Sequence, residues 1–277
     1  MYLIFDIGGT KLRMASSFDG ENLHDVKISQ TPRDYLEAKK IIEEFVGKSS
    51  DMSHDGNLIC VGLPGVFDGE KKYLVSAPNL PYWVTKPVRA DLEKYTSSKV
   101  YLENDSALAA LGEAVKGAGI GFPIVAYINI GTGIGGARIV DGMIEKTKYG
   151  FEPGHQIINA EVVISGKMID FEGLVSGVGI QTRYGKKAED LKDKEAWAEI
   201  EKFLSIGLVN TILHWSPDVL VLGGGLIQSE FISIQNVQNQ IKEFIHVFPS
   251  VPEVKKGILG DQAGLFGGLK YLKNKVS

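Results

Sequence analysis

The sequence predicts an α/β protein of two lobes, each a mixed β-sheet flanked by helices. Three observations carry this. A buried-looking run, a Gly/Thr turn and a second run occur together twice, at 2–17 and at 124–140, about 120 residues apart. Short apolar strands elsewhere alternate with stretches of helical period. The 277 residues correspond to one large domain or two lobes, at about 100–200 residues per domain.

Residues 2–7 are apolar apart from Asp6 and read as a buried strand. Gly8, Gly9 and Thr10 turn the chain into a second strand at 11–17. In a P-loop or dinucleotide fold such a turn opens a helix; here it joins two strands, so it belongs to a hairpin. An amphipathic helix is predicted over 32–48, with Leu36, Ile41, Ile42 and Phe45 on one side. A strand at 57–63 runs into Pro64-Gly65. Pro87 opens a helix over 87–97. A strand at 100–102 leads through Glu103-Asn104-Asp105 into an alanine-rich helix ending near Lys116. Residues 117–123 are the clearest linker. The first pattern then returns: strand 124–130, turn 131–136, strand 137–140. A long helix is predicted over 187–214, a strand over 219–222 ending in Gly223-Gly224-Gly225, a helix over 228–246, and a closing helix after Gly260-Asp261.

Composition excludes several classes. Hydrophobic residues make up 44% and charged residues 23%, which rules out a disordered chain. A net charge of −4 provides no basic field for nucleic acid. Cys60 is the single cysteine, so no internal disulfide or multi-thiolate site can form. The N-terminus has no basic signal region, and no apolar run reaches the ~18 residues of a membrane span. A soluble cytoplasmic protein is expected.

Two glycine turns with threonine present backbone N–H groups and a hydroxyl without side-chain obstruction, a nest for anionic oxygens. Each alone is equally well a tight hairpin. Together with Gly223–Gly225 after a buried strand they point to a nucleotide cleft. Asp6, just before the first turn, could hold Mg²⁺ directly or through water, and Lys11 could offset negative charge. Asp105, between a strand and a helix, reads by position as an N-cap; the alternative is a base facing a cleft. Glu152 and His155 around Pro153-Gly154 read without context as polar residues of a surface turn. Trp83 is either a surface aromatic or a platform for a sugar. The Lys/Glu-rich stretch 186–202 reads as a solvated helix face.

Taken together these residues resemble the ROK family of sugar kinases, within the actin/hexokinase superfamily, nearly end to end. Asp6-Ile7-Gly8-Gly9-Thr10-Lys11 is similar to the family's first phosphate motif. Gly62-Leu63-Pro64-Gly65 with Asp68 is similar to its G-x-P-G segment, and Pro78-Asn79-Leu80 with Trp83 to the P-N-L-x-x-W segment of glucose-like substrates. Glu103-Asn104-Asp105 resembles the E-N-D that carries the catalytic aspartate. Ile130 to Gly136 resembles the second phosphate motif, Glu152-Pro153-Gly154-His155 the E-x-G-H motif, Leu222 to Gly225 the adenosine segment, and Gly260-Asp261-Gln262-Ala263-Gly264 the segment before the closing helix. Glu172 with Leu174-Val175-Ser176-Gly177 resembles the end of the signature that places a further glutamate on the sugar.

The resemblance implies an actin-like, ribonuclease H-like two-lobed fold with an interlobe cleft. The expected lobes are a small one at 1–116, completed by the helix 263–277, and a larger one at 117–262. The implied activity is ATP-dependent phosphorylation of a hexose hydroxyl, most often at C6, with Asp105 as base and Asp6 holding Mg²⁺. Gly8, Gly9, Thr10, Lys11, Gly131, Thr132, Gly133 and Gly135 would cradle the phosphates, and Gly224 and Gly225 would admit the adenosine. Gly65, Asn79, Asn104, Asp105, Glu152, His155 and Glu172 would read the sugar. Lobe closure would exclude water. Glucose is the first expectation; N-acetylmannosamine, N-acetylglucosamine, mannose, allose and fructose are alternatives, and polyphosphate is an alternative donor. A homodimer is usual for the family, and neither nucleic acid nor membrane is an expected partner.

One departure is large. The family's C-x-C-G-x-x-G-C-x-E binds a structural zinc together with the E-x-G-H histidine. Here the cysteine positions hold Val163, Ser165 and Asp170, and only Gly166 matches. A tetrahedral thiolate site cannot form, so no structural zinc is expected, and burial of Val162, Val163, Ile164, Met168 and Ile169 is expected to hold this loop instead. Two readings compete with the kinase: a sugar-binding sensor without catalysis, favoured by the lost zinc loop, and a superfamily phosphatase or ATPase without a sugar acceptor, opposed by the sugar-type segments. A repressor of the same family would need an N-terminal winged helix, for which a phosphate motif at residue 6 leaves no room.

Overall fold

The computed structural model describes residues 1–48, 57–161, 163–164 and 166–276. They fall into two compact units. The first is Met1–Lys116 with Lys146–Gly150 and Asp261–Ser277; the second is Gly117–Glu145 with Phe151–Gly260.

In the first unit the strands are β1 (Tyr2–Ile7), β2 (Lys11–Ser17), β3 (His24–Gln30), β4 (Leu58–Leu63), β5 (Val66–Phe67), β6 (Leu74–Ser76) and β7 (Lys99–Asn104). Five of them form one mixed sheet in the order β3-β2-β1-β4-β7. The β1–β2 and β2–β3 pairs are antiparallel; β1–β4 and β4–β7 are parallel. Side chains alternate across β1. Leu3, Phe5 and Ile7 join the core under helices α1 (Tyr35–Lys48) and α2 (Val88–Thr96). Ile4 packs on the opposite side with Leu265 and Leu269 of the last helix. Asp6 shares the Ile4 face.

In the second unit the strands are β8 (Ile124–Ile130), β9 (Ile134–Val140), β10 (Met143–Ile144), β11 (Val163–Ile164), β12 (Lys167–Met168), β13 (Val219–Gly223) and β14 (Glu253–Lys256). The main sheet runs β10-β9-β8-β13-β14, again with two antiparallel and two parallel pairs. The repeat seen in the sequence is therefore a repeat of sheet order: β8 and β9 stand in the second sheet where β1 and β2 stand in the first. Among the described residues no helix is long and apolar enough to cross a membrane.

Several predicted elements shift. The first helix starts at Tyr35, not at 32, because Asp34 accepts the Glu37 N–H at 3.0 Å and caps it. The predicted helix 187–214 is two pieces: a 3-10 turn at Ala188–Asp190, then α6 (Lys194–Trp215) capped by Asp193. The predicted helix 228–246 divides into α7 (Gly225–Gln228) and α8 (Ile234–Phe244), the latter capped by Ser233. Strand β3 has no counterpart in the sequence reading: nearly every residue in it is exposed, so no apolar alternation marks it.

Candidate active site

In the first unit the candidate residues stand on the ends of β1, β4 and β7. Asp6, Gly62 and Glu103 lie in register on these three neighbouring strands. Gly62 keeps this spot open: a methyl at its Cα would be in contact with Asp6 Oδ1 and the Asp105 Cα, both at 3.5 Å, and would press on Leu108 Cδ1 at 2.9 Å. The two candidate carboxylates thus flank a residue without a side chain. Asp105 is the first residue of α3 (Asp105–Lys116). The capping role, however, falls to Asn104, whose Oδ1 accepts the Ala107 N–H at 3.0 Å. Among the described residues Asp105 Oδ1 accepts only from the neighbouring Ser106, from N at 2.7 Å and Oγ at 3.4 Å, so Asp105 is not committed to the cap.

Burial pushes the Asp105 carboxyl up to about 7, and the charge of Asp6 adds to the rise. Burial likewise raises Asp6 to about 6, against the pull of Arg13. Arg13 Nη1 donates to Asp6 Oδ2 at 3.2 Å, and Arg13 Nε and Nη2 donate to Asp261 Oδ1 at 3.1 and 2.7 Å. Lys11 Nζ donates to both oxygens of Asp261, at 3.0 and 2.7 Å. The sequence reading singled out neither Arg13 nor the Asp261 carboxylate. The available signal was the hairpin itself, which sets Arg13 opposite Asp6.

The Gly8–Thr10 turn is closed by Gly8 N–H on Lys11 O at 2.9 Å and clasped by Thr31, whose hydroxyl donates to Gly8 O at 2.7 Å. The Gly9 and Thr10 amides donate to nothing among the described residues, so they are open to an anion. Asn79 is exposed and packs over Gly9; a methyl at Gly9 would lie 2.8 Å from Asn79 Cβ. Gly65 has φ +113° and its carbonyl accepts from Asn104 Nδ2 at 3.3 Å. Gly65, Asn104 and Asp105 are thus brought together. Trp83 is not: it is 1% exposed and packs edge-on against Tyr35, so it is a core residue and neither a surface aromatic nor a stacking platform.

The second unit carries the other candidate residues. Its turn, Gly131–Gly133, is held from behind by helices α4 (Phe171–Val175) and α5 (Gly177–Tyr184). Gly177 and Val178 donate their N–H groups to Gly131 O and Thr132 O at 2.9 and 3.2 Å. Glu172 Oε2 accepts the Ile134 N–H at 2.6 Å. With its carbonyls and one amide so engaged, the turn keeps the Thr132 and Gly133 amides without a partner among the described residues. Gly135 is the second residue of β9, paired with Asn129. Gly224 links β13 to α7 with φ +93°, where a side chain would strike Ile130 O at 2.3 Å; a methyl on Gly225 would meet open space.

Glu152 precedes a 3-10 turn at Pro153–His155 that His155 ends, and both are exposed. His155 Nδ1 lies 2.8 Å from Asp170 Oδ2, and this contact raises the imidazole above its ordinary range. The other oxygen of Asp170 accepts the Gly173 N–H at 2.9 Å and caps α4. A carboxylate at a position aligned with one of the absent cysteines thus ties His155 to the helix that carries Glu172. The expectation that burial holds this loop fails for Met168, which is 56% exposed and pairs with Val163 at the open end of the β11–β12 hairpin, while Ile169 does pack on the core. Val162 and Ser165 lie outside the described residues, as do the side chains of Val163 and Ile164.

Among the described residues no three His, Cys, Asp or Glu side chains are grouped as a metal cage. Mg²⁺ carried by nucleotide phosphates needs only one or two carboxylates. Asp6 fits that demand: it is a buried hard-oxygen donor whose ionised form is costly until a cation approaches.

A model of the ROK family matches residues 2–275 of this chain. An N-acetyl-D-glucosamine kinase of Escherichia coli is 29% identical over 297 aligned residues, covering 96% of this chain and 97% of its own. The ROK hexokinase of Thermus thermophilus has the same fold with a TM-score of 0.83 at 25% identity, covering 100% of this chain and 99% of its own. A ROK family glucokinase of Streptomyces griseus, solved with glucose and AMPPNP, gives a TM-score of 0.76 at 22% identity, with 97% and 98% covered, a likeness of fold.

Proposed function

This chain belongs to the ROK family, and on that premise we propose that it is an ATP-dependent kinase of a hexose or N-acetylhexosamine, acting on the C6 hydroxyl. The observation that carries the reading is a pair of carboxylates beside Gly62, buried Asp6 and half-buried Asp105, with one residue between Asp6 and a glycine turn whose Gly9 and Thr10 amides have no partner among the described residues. Phosphoryl transfer requires positioning, charge neutralisation and an acceptor for the hydroxyl proton, and these residues supply all three.

Asp105 takes the proton of the attacking hydroxyl. A carboxyl raised to about 7 is matched to that task near neutral pH. Asp6 would hold Mg²⁺, which when bound would supply positive charge against that of the nucleotide phosphates. Taken unit by unit, Gly8, Gly9, Thr10 and Lys11 offer donors for phosphate in the first, and Gly131, Thr132, Gly133 and Gly135 in the second, mainly backbone N–H groups. Gly224 and Gly225 leave room for the adenosine. Gly65, Asn79, Asn104, Glu152, His155 and the free oxygen of Glu172 pair with sugar hydroxyls, each of which would be costly to leave unpaired. The protein would act as a homodimer in the cytoplasm.

The similarity to an N-acetyl-D-glucosamine kinase favours that sugar as a second reading beside glucose. ³¹P NMR of a reaction with Mg-ATP and the accepted sugar is expected to show a new phosphomonoester whose phosphorus couples to the C6 protons. A product that is orthophosphate alone would overturn the kinase in favour of an ATPase.

A further inference from the structure

We infer that Arg13 is a catalytic side chain of this kinase, its guanidinium donating directly to the phosphoryl group in transfer. The inference rests on the kinase reading above and adds a residue to it. Arg13 stands opposite Asp6 across the β1–β2 hairpin. Its Nη1 lies 3.2 Å from Asp6 Oδ2, and a methyl on Gly8 would come within 3.8 Å of the same nitrogen. The guanidinium therefore sits between the candidate magnesium carboxylate and the first residue of the phosphate turn.

A guanidinium has five N–H donors in a fixed fork. Three are used: Nε and one Nη2 proton on Asp261, and one Nη1 proton on Asp6. One proton on each Nη remains without an acceptor among the described residues, and the side chain keeps 18% of its surface open. Asp261 fixes the plane of the group from behind by two bonds, so aiming those two protons costs little further ordering.

The charge balance requires such a donor. Asp6, Asp105 and Asp261 bring three carboxylates to this corner, against Arg13 and Lys11, and Lys11 is already paired with Asp261. A nucleotide triphosphate adds more negative charge. In the transfer, the sugar hydroxyl oxygen forms a bond to the γ-phosphorus. The bond from phosphorus to the bridging oxygen breaks, and its electron pair leaves with ADP. The hydroxyl proton passes to Asp105. Arg13 changes no bond; it donates to phosphoryl oxygens on which charge builds, where a preorganised donor is worth most.

The test compares the wild-type protein with Arg13→Ala and Arg13→Lys. With Mg-ATP and the accepted sugar, kcat is expected to fall at least about 100-fold in Arg13→Ala. Affinity for ADP with aluminium fluoride and sugar, a mimic of the phosphoryl in flight, should fall by a similar factor, measured by calorimetry. Affinity for ADP alone should change less than about threefold, and millimolar guanidinium should restore part of the Arg13→Ala rate. Arg13→Lys keeps the charge without the fork and should show the same selective loss; it decides the matter if Arg13→Ala fails to fold. Equal weakening of both ADP complexes, with a lowered thermal midpoint and no rescue, would make Arg13 a structural ion-pair partner and overturn the inference. So would a wild-type kcat in either variant. A wild-type protein that phosphorylates no sugar overturns the kinase reading and this inference with it.

Discussion

Replacing Asp105 by asparagine is expected to lower kcat about a thousandfold while leaving sugar affinity within about threefold, since a positioned base contributes about 10²–10⁴. Asparagine keeps the shape and an oxygen that can accept the Ser106 N–H, so the loss falls on proton transfer. The same carboxyl sets two pH dependences. With the group raised to about 7, kcat/KM of the wild type should rise about tenfold per pH unit on the acid side and level off near 7, because the base works only when ionised. Stability runs the other way. Between the ordinary aspartate value of 3.8 and about 7, the unfolded chain has lost a proton that the folded chain still binds. Stability therefore falls as pH rises through this range, by roughly 1.4 kcal/mol for each pH step of about one. Asp105→Asn should therefore melt above the wild type at pH 8 and close to it at pH 4. An active Asp105→Asn variant would remove Asp105 from the mechanism, and a variant that melts lower at pH 8 would contradict the raised carboxyl.

The second large effect is on packing. Gly267→Ala is expected to cost about 3 kcal/mol, the upper part of the range for overpacking, and to lower the thermal midpoint by about 6–12 °C. Helices α3 and α9 (Ala263–Val276) meet backbone to backbone. A methyl on Gly267 would lie 1.7 Å from Leu108 O, and one on Gly112 would lie 2.1 Å from Ala263 O. No rotamer change relieves contact with a carbonyl of a helix, so the helices must separate. That separation reaches the site, because α3 begins at Asp105 and Gly264 of α9 packs against Asp6, where a methyl would lie 2.6 Å from Oδ2. The variant should lose activity in proportion to the displacement of these two carboxylates. An unchanged midpoint, read by differential scanning calorimetry, would mean that the two helices do not pack this closely.

What was legible in the sequence is what leaves a periodic or chemical signature. The two glycine hairpins were legible because buried strands on both sides of Gly8-Gly9-Thr10 and Gly131-Thr132-Gly133 exclude a helix after the turn. Their duplication pointed to two similar lobes. The exposed edge strand His24–Gln30 was not legible, since an edge held by one neighbour needs no apolar face. The breaks before Lys194 and Ile234 were hidden by helix-compatible residues on both sides; single caps at Asp193 and Ser233 decide them. Asp105 looked like a cap because Asp is a good one, yet the adjacent Asn104 took that role. Arg13 and Asp261 lie 248 residues apart, and no local pattern could bring them together.

The measurement that bears most directly on the kinase reading is ADP release with Mg-ATP across a panel of hexoses and N-acetylhexosamines, against a no-sugar control. The expected result is ADP release that depends on one sugar or a narrow set, matched mole for mole by loss of the free sugar. Release at the same rate without sugar would contradict the reading and point to an ATPase. Absence of release with every sugar, while one of them still raises the melting temperature, would contradict it too, and would make the protein a sugar-binding sensor.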